Sequence, residues 1–392
     1  MCKLGLIVNP VAGIGGRVGL KGSDGTEIQR RALELGAEPR ASGRASLALE
    51  RLRAVPDLEI VTYPGEMGET AARASGFEPT VIGTIEPGST TAEDTVTAAR
   101  DLHHWGIDLL LFAGGDGTAR DIYRAIGEKL PVLGIPAGVK IHSAVYATSP
   151  ASAGSLAALF LRGRVTSLHE AEVLDIDEEA FRSGSVSAKL YGYLRIPFRT
   201  SLLQNQKMAS SGGSGSVSAI AEDIVEGLES DCLYIIGPGT TTRAITDELG
   251  LAKTLLGVDV VRVAETDLDA EKSATLAWTD ANESDLLQLL AERRQFKNIV
   301  TLIGGQGFIF GRGNQQISPR VIRAVGANAS GSNGGFNPWK NIVVVGTKEK
   351  LYALGSRPLR VDTGDSALDE TLSGYVTVVT GYHERAVRKV TA

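Results

Sequence analysis

The stretch Phe112 to Asp121, FAGGDGTARD, decides the fold. It follows the apolar run Leu109 to Ala113 and leads into ARDIYRAIG, whose apolar spacing is helical. A buried strand, a glycine turn and a helix in that order form half of a βαβ unit. Asp116 is the one ionisable group among the first seven residues, with glycine on either side. Two readings of it stand side by side. Aspartate is a favoured N-cap, and glycines around a cap are ordinary. The alternative is a binding site at the carboxyl edge of a parallel sheet, where open α/β sheets take their ligands. There glycines let backbone N–H groups face a phosphate, aided by the positive end of the helix. A carboxylate beside phosphate is repelled unless it faces a metal ion or a hydroxyl, and that combination belongs to phosphoryl transfer.

Outward from this turn, the first third of the chain alternates in type. Lys3 to Asn9 reads as a strand, GTEIQRRALELG as a helix stopped at Gly36, and LEIVTYP and TVIGTI as further strands. Thr90 and Glu93 predict a capping box for a helix ending at Gly106, and LPVLGIPAG predicts another strand. Runs that are apolar on both faces imply a parallel sheet covered by helices. From about Val165 the texture changes to short β-like segments, with a turn expected at Ser183 to Ser185. MASSGGSGSVSAI predicts a flexible loop by composition, and GANASGSNGGFNPWKN a loop insertion. CLYIIGPGTTTRAITDELG again reads as strand, glycine turn and helix. The expectation is an α/β domain over residues 1–165 and a β-rich domain over 166–392.

Composition narrows the function. The 392 residues suit two domains, and 22% charged with 43% hydrophobic residues is ordinary for a folded protein. The 47 glycines exceed the usual ~7%, and no Gly-X-Y period absorbs them. A net charge of −6 argues against a nucleic-acid partner, which would show as a basic excess. The two cysteines, Cys2 and Cys232, make neither a disulfide framework nor a metal-ligand spacing, and suit a reducing cytosol. MCKLGLIVNP enters a strand at once without a signal-like core, so a cytoplasmic location is expected. Ser143 to Leu161, broken by Pro150, does not read as a membrane span. No G-x-x-x-x-G-K-[ST] occurs, and GIGGRV from Gly13 has Val18 where a dinucleotide fingerprint needs glycine.

Gly114-Gly115-Asp116-Gly117-Thr118 resembles the GGDGT signature shared by NAD kinases, diacylglycerol kinases and phosphofructokinases. NPVAG at Asn9 to Gly13 resembles the first glycine turn of the same superfamily. NPVAGIGGRVGLKGSDG, YPGEMGETAARASGF, GIPAGVKIHSAVYATSP, YIIGPGTTTRAI, GGQGFIFGRGNQQIS and LRVDTGD together look like the ATP-NAD kinase-like proteins that include the AcoX proteins. The resemblance spans nearly the whole chain. It implies a Rossmann-like N-terminal domain and a β-rich C-terminal domain with the site in the cleft. Asp116 then matches the catalytic base, and Asn9, Gly114, Gly115, Gly117 and Thr118 match the nucleotide-phosphate contacts. Gly239, Thr240 and Thr241 match the Thr-Gly-Ser/Thr turn of the second domain. The cofactors implied are ATP or polyphosphate with Mg²⁺, and the family suggests a homo-oligomer.

One departure stands out. NAD kinases carry an Asn-Glu pair early in the second domain, and KLYGYLRIPF has none; NES at Asn282 to Ser284 falls after the GPGTTT turn. The expected activity is phosphoryl transfer to a hydroxyl, with NAD as the first acceptor. The alternatives are another small hydroxylated metabolite as acceptor, or a nucleotide sensor without turnover. No amphipathic membrane-facing segment favours a lipid kinase. Secondary candidates are Arg17 and Lys21 for phosphate, Lys140 and His142 for substrate or phosphate, and Asp362 and Asp365 for Mg²⁺. Each has a plain alternative as a solvated charge or turn residue. His103 and His104, at a helix end, read as structural, and DIDEE at Asp175 to Glu179 as a solvated strand end.

Overall fold

The computed structural model describes residues 2–20, 25–139, 141–176, 188–199, 202–203, 214–264, 273–292, 295–327 and 337–392. They form two compact units: residues 1–15 with 22–206, and residues 16–21 with 207–392.

In the first unit, β1 (Cys2–Val8), β2 (Leu58–Thr62), β3 (Thr80–Val81), β4 (Leu109–Gly114) and β5 (Val132–Pro136) form a parallel sheet in the order β3-β2-β1-β4-β5. The strand run read from the sequence is buried along its whole length in β4. Helices α1 (Thr26–Glu34), α2 (Ala41–Leu49), α3 (Glu69–Ala74), α4 (Ala92–Trp105), α5 (Asp116–Ile126) and α6 (Pro150–Leu161) supply the covering layers. Ala41, Ala45 and Ala48 of α2 and Ala98, Ala99 and Leu102 of α4 join one apolar core with the strands. The chain leaves β1 toward β2 on one side and leaves β4 toward β5 on the other. The carboxyl ends of β1 and β4 therefore flank the switch point where doubly wound sheets open a crevice.

Several local expectations shift. The capping box of α4 is Thr91 with Asp94, one residue later than Thr90 with Glu93, because Asp94 Oδ2 accepts both the Thr91 N–H and its hydroxyl. The second part of Ser143 to Leu161, the stretch that does not read as a membrane span, is α6, with Ser149 as N-cap and Pro150 in its first turn. No helix among the described residues is long and apolar enough to cross a membrane. β6 (Leu168–Ile176) and β7 (Ala188–Pro197) form an antiparallel pair within the first unit, beyond the textural change at Val165. Two close contacts seat it there. Ser143 Oγ donates to the Leu174 carbonyl and accepts its N–H, and a Cβ on Gly192 would strike the Tyr123 ring. The turn expected at Ser183 to Ser185 lies outside the described residues.

The second unit holds a nine-stranded mixed sheet, β10-β9-β8-β11-β13-β15-β16-β14-β12. Its strands are β8 (Cys232–Ile236), β9 (Asp259–Ala264), β10 (Ser273–Trp278), β11 (Gln295–Thr301), β12 (Phe308–Phe310), β13 (Ile342–Val345), β14 (Leu359–Val361), β15 (Gly374–Gly381) and β16 (Glu384–Thr391). Helices α7 (Ser214–Glu226), α8 (Thr240–Glu248), α9 (Glu283–Leu290), α10 (Pro319–Ala327), α11 (Lys348–Leu354) and α12 (Ser366–Leu372) accompany it. The Gly/Ser-rich stretch expected to be a loop enters α7 at Ser214, since Ile220, Ala221 and Ile224 bury against β8 and β9. Of the expected insertion GANASGSNGGFNPWKN, α10 ends at Ala327, residues 328–336 are outside the described set, and a short 3-10 turn spans Pro338–Asn341.

A fully buried ion pair anchors the loop after α8. Lys253 Nζ lies 3.3 Å from Asp259 Oδ2, and both side chains are completely covered. Asp259 also accepts the N–H groups of Thr254 and Asp280. Burial pushes the Lys253 ammonium below its ordinary pKa, and Asp259 pulls it back up. Removing one partner of such a pair strands the other charge. Lys253→Met is expected to lower stability by about 3–5 kcal/mol, read from the denaturant midpoint. A loss below about 1 kcal/mol would contradict the anchoring role.

Candidate active site

The two glycine motifs of the first unit start side by side. Val8 pairs with Ala113 in the sheet, and the next residue, Asn9, donates its N–H to the Ala113 carbonyl at 2.9 Å. Asn9 Nδ2 donates to Thr118 Oγ1 at 2.9 Å, and Asn9 Oδ1 accepts the Val11 N–H. Asn9 thus ties the turn after β1 to the first turn of α5. Asn9, Gly114, Gly115, Asp116, Gly117 and Thr118 lie together at the switch point.

Asp116 does not cap α5. The N-cap is Gly115, and no side chain caps that end, so the donors of the first turn stay available to an anion. The buried Asp116 carboxylate reaches across to the loop after β5 instead. Oδ2 accepts the His142 N–H at 2.7 Å and faces His142 Nδ1 at 3.2 Å, while Oδ1 accepts the Ser143 N–H at 3.1 Å. A carboxylate only accepts, so the ring nitrogen facing it carries the proton. Ser143 in turn is held by Leu174 of β6, and Ala144 N–H donates to the Glu172 carbonyl. The hairpin thereby fixes the loop that fixes Asp116.

The glycines answer close packing of the chain on itself as much as room for a ligand. A Cβ on Gly114 would lie 2.5 Å from Thr118 Cβ, and one on Gly115 would lie 3.2 Å from Gly138 Cα. Gly13 has φ +76°, and its Cβ would come within 2.1 Å of the Ala137 carbonyl oxygen. Gly134 leaves space for the Tyr146 ring, which meets Phe112 edge-on at 5.4 Å, while its hydroxyl donates to the Gly115 carbonyl. Ser143 and Tyr146 escaped the sequence reading because no local pattern marks a residue that acts on a turn thirty positions away. Arg44 of α2 escaped likewise; its Nε donates to the Pro136 carbonyl at the end of β5.

In the second unit, Gly239 (φ +129°) turns the chain from β8 into α8. Of the three hydroxyls at that helix start, only Thr240 is exposed. Thr242 Oγ1 donates back to the Gly237 carbonyl, and Thr241 Oγ1 accepts from Lys350 Nζ at 3.0 Å.

The secondary candidates scatter. Arg17 Nη1 lies 3.9 Å from Glu283 Oε2 in the second unit. Asn282 caps α9 with Asp285, Asp362 pairs with Arg312, and Asp365 caps α12 and pairs with Arg323. The Arg323 guanidinium, with the Leu368 N–H, holds the Asp365 carboxyl below the ordinary carboxylate range. Asp175, expected at a solvated strand end, is buried and accepts from Arg120. His103 and His104 sit in the last turn of α4. Lys21 and Lys140 lie outside the described residues. Among the described residues no cluster of three or more His, Cys, Asp or Glu side chains could hold a metal ion.

Sequence comparison with family models matches residues 4–165 to the ATP-NAD kinase N-terminal domain and residues 229–390 to the ATP-NAD kinase C-terminal domain. The chain belongs to the ATP-NAD kinase family, which places it among kinases. No curated protein matches it in sequence. Among solved structures it is similar to the "putative diacylglycerol kinase from Bacillus anthracis str. Sterne", with 14% identity, 70% of this chain and 92% of that chain covered, and a TM-score of 0.24.

Gly134→Ala tests the packing behind the turn. Its methyl would overlap the Tyr146 ring and disturb the hold on Gly115, so a stability loss of about 1–3 kcal/mol is expected in urea unfolding. A change within 0.5 kcal/mol, roughly that of an unconstrained site, would contradict it.

Proposed function

We propose that the chain transfers a phosphoryl group from ATP or inorganic polyphosphate to a hydroxyl, with NAD, yielding NADP, as the first acceptor to test. The observation that carries this reading is the buried Asp116 carboxylate held at the uncapped N-terminus of α5, beside Asn9, at the switch point of the parallel sheet. The donor's phosphates would lie against the N–H groups of Gly115, Gly117 and Thr118 and against Asn9. In the second unit, Gly239, Thr240 and Thr241 would contact nucleotide.

The acceptor hydroxyl gives its proton to Asp116, its oxygen bonds to the terminal phosphorus, and the bond from that phosphorus to the bridging oxygen breaks. A carboxylate is a weak base near neutrality, so much of its contribution is orientation of the hydroxyl in a loose transition state. His142 and Ser143 act through Asp116 by fixing both of its oxygens. Mg²⁺ would neutralise charge on the polyphosphate and would be carried largely by the phosphates themselves. With the Asp116 carboxylate at hand and no cluster of metal ligands among the described residues, the residues fit a metal delivered in that way.

NADP formation by the purified chain with Mg²⁺, NAD and either ATP or polyphosphate tests the reading. Asp116→Asn is expected to lower kcat by about 10²–10⁴-fold while ATP binding survives. The new amide would oppose a backbone N–H, at a cost of about 1–3 kcal/mol, so kcat is scored per folded molecule. A variant within about threefold of wild type, against the much larger loss of a general base, would sink the role of Asp116. The second reading, another hydroxyl acceptor, is favoured by the absence of the Asn-Glu pair from KLYGYLRIPF. It is tested by the same assay on a panel of hydroxylated metabolites.

A further inference from the structure

The last strands of the second sheet bury one face and expose the other. Leu359 and Val361 of β14, Val390 of β16 and Val376 and Val378 of β15 join one apolar cluster. Side chains alternate along a strand, so Arg360, Lys389, Thr391, Tyr375, Thr377 and Val387 take the opposite face. Pairing sets them side by side: Arg360 stands opposite Thr391, Tyr375 opposite Lys389, and Thr377 opposite Val387. Helix α7 reaches this face only near the turn between β15 and β16, where Asp223 pairs with Arg385 at 2.8 Å and accepts the His383 N–H. Away from that turn Tyr375 is 72% and Val387 66% exposed.

Two cations stand on this face without a carboxylate. Arg360 is half-buried and Lys389 exposed, and neither makes an ion pair among the described residues. Asp362, two residues beyond Arg360, is held by Arg312 at 3.0 Å. The charge that Arg360 does feel is a second cation. Burial first, and the Arg357 guanidinium second, push Arg360 below the ordinary arginine range. Arg357 is tethered at the end of α11, donating to the Leu354 and Ala353 carbonyls at 3.1 and 2.9 Å. The main chain of Arg360 is fixed as well, its N–H donating to the Gly307 carbonyl at 2.9 Å. A covered guanidinium beside another one is costly until an anion neutralises it.

We propose that Arg360, Lys389 and Thr391 form a phosphate-binding site on the outer face of β14 and β16. The three sit at the corners of a triangle on two adjacent strands, with Lys389 about 7 Å along β16 from Thr391. A guanidinium, an ammonium and a hydroxyl so placed meet three oxygens of a tetrahedral anion, whereas a carboxylate offers two in one plane. The ligand class is a phosphate or polyphosphate group, free or carried by a nucleotide. Tyr375, beside Lys389, would touch the organic part of a nucleotide and has no role toward a bare phosphate chain. The site shares no residue with the phosphotransferase reading and stands whether or not the chain is a kinase.

Calorimetric titration of the full chain with inorganic pyrophosphate tests the site. Arg360→Gln is expected to remove one pyrophosphate site per chain or to weaken it by about tenfold or more. Lys389→Gln and Thr391→Val are expected to weaken the same site by smaller factors, and they decide the matter should Arg360→Gln fail to fold. The ligand-free protein gives a second signal of opposite sign. Removing an uncompensated charge beside Arg357 is expected to raise the melting temperature of Arg360→Gln, as for a residue kept for binding at a cost in stability. A structural arginine would lower that temperature and leave the titration unchanged, and this pair of results overturns the proposal. Unchanged stoichiometry and affinity in both Arg360→Gln and Lys389→Gln also overturn it, as does equal competition by oxalate, a dicarboxylate. ADP titrated in parallel separates the two sources: tighter binding than pyrophosphate, lost in Tyr375→Ala, supports a nucleotide, and binding no tighter and unchanged by Tyr375→Ala supports the bare phosphate chain.

Discussion

The grip of the Asp116 carboxylate on the His142 and Ser143 amides is the contact on which the first unit's architecture turns. It joins the turn after β4 to the loop after β5, and through Ser143 it joins both to the hairpin strand β6. A buried carboxylate is tolerated only when its lone pairs are met by donors. Here backbone donors meet both oxygens, so the charge is fixed in position by the main chain and not by a flexible counter-ion. Such preorganisation is what a group needs if it must orient a substrate hydroxyl without rearranging.

Glycine serves this arrangement from behind. Gly13, Gly114 and Gly134 sit where a side chain would strike Ala137, Thr118 or Tyr146. They let three loop segments converge on the carboxyl edge of β1, β4 and β5. The second unit repeats the principle with different residues. There Gly239 lets the GPGTTT turn lie against Thr301, and a buried cation, not an anion, occupies the strand edge.

Much of this was legible in the sequence, because its signals are local. The apolar run of β4, the glycine turn and the start of α5 are contiguous, and so are β8, GPGTTT and α8. The two parallel-strand motifs could be recognised without knowing what packs on them. What stayed hidden depends on contacts distant in the chain. Nothing near Asp116 announces that its carboxylate turns to His142 instead of capping α5. Nothing in GTKEKLYALG says that Lys350 reaches Thr241. The Gly/Ser-rich stretch misled for the opposite reason: composition suggests a loop, but Ile220, Ala221 and Ile224 gain enough burial to make it helix. The shift of the capping box to Thr91 and Asp94 is of the same kind, a choice among adjacent capable residues settled by packing.

The most direct test of the central claim is to follow the backbone amide resonances of the labelled protein during titration with ATP and Mg²⁺. If the uncapped start of α5 and the Asn9 turn form the phosphate site, the amides of Gly115, Gly117, Thr118 and Val11 shift first and most. Those of His142 and Ser143 follow through Asp116. Saturable ATP binding that leaves these amides unmoved while perturbing others would contradict the account.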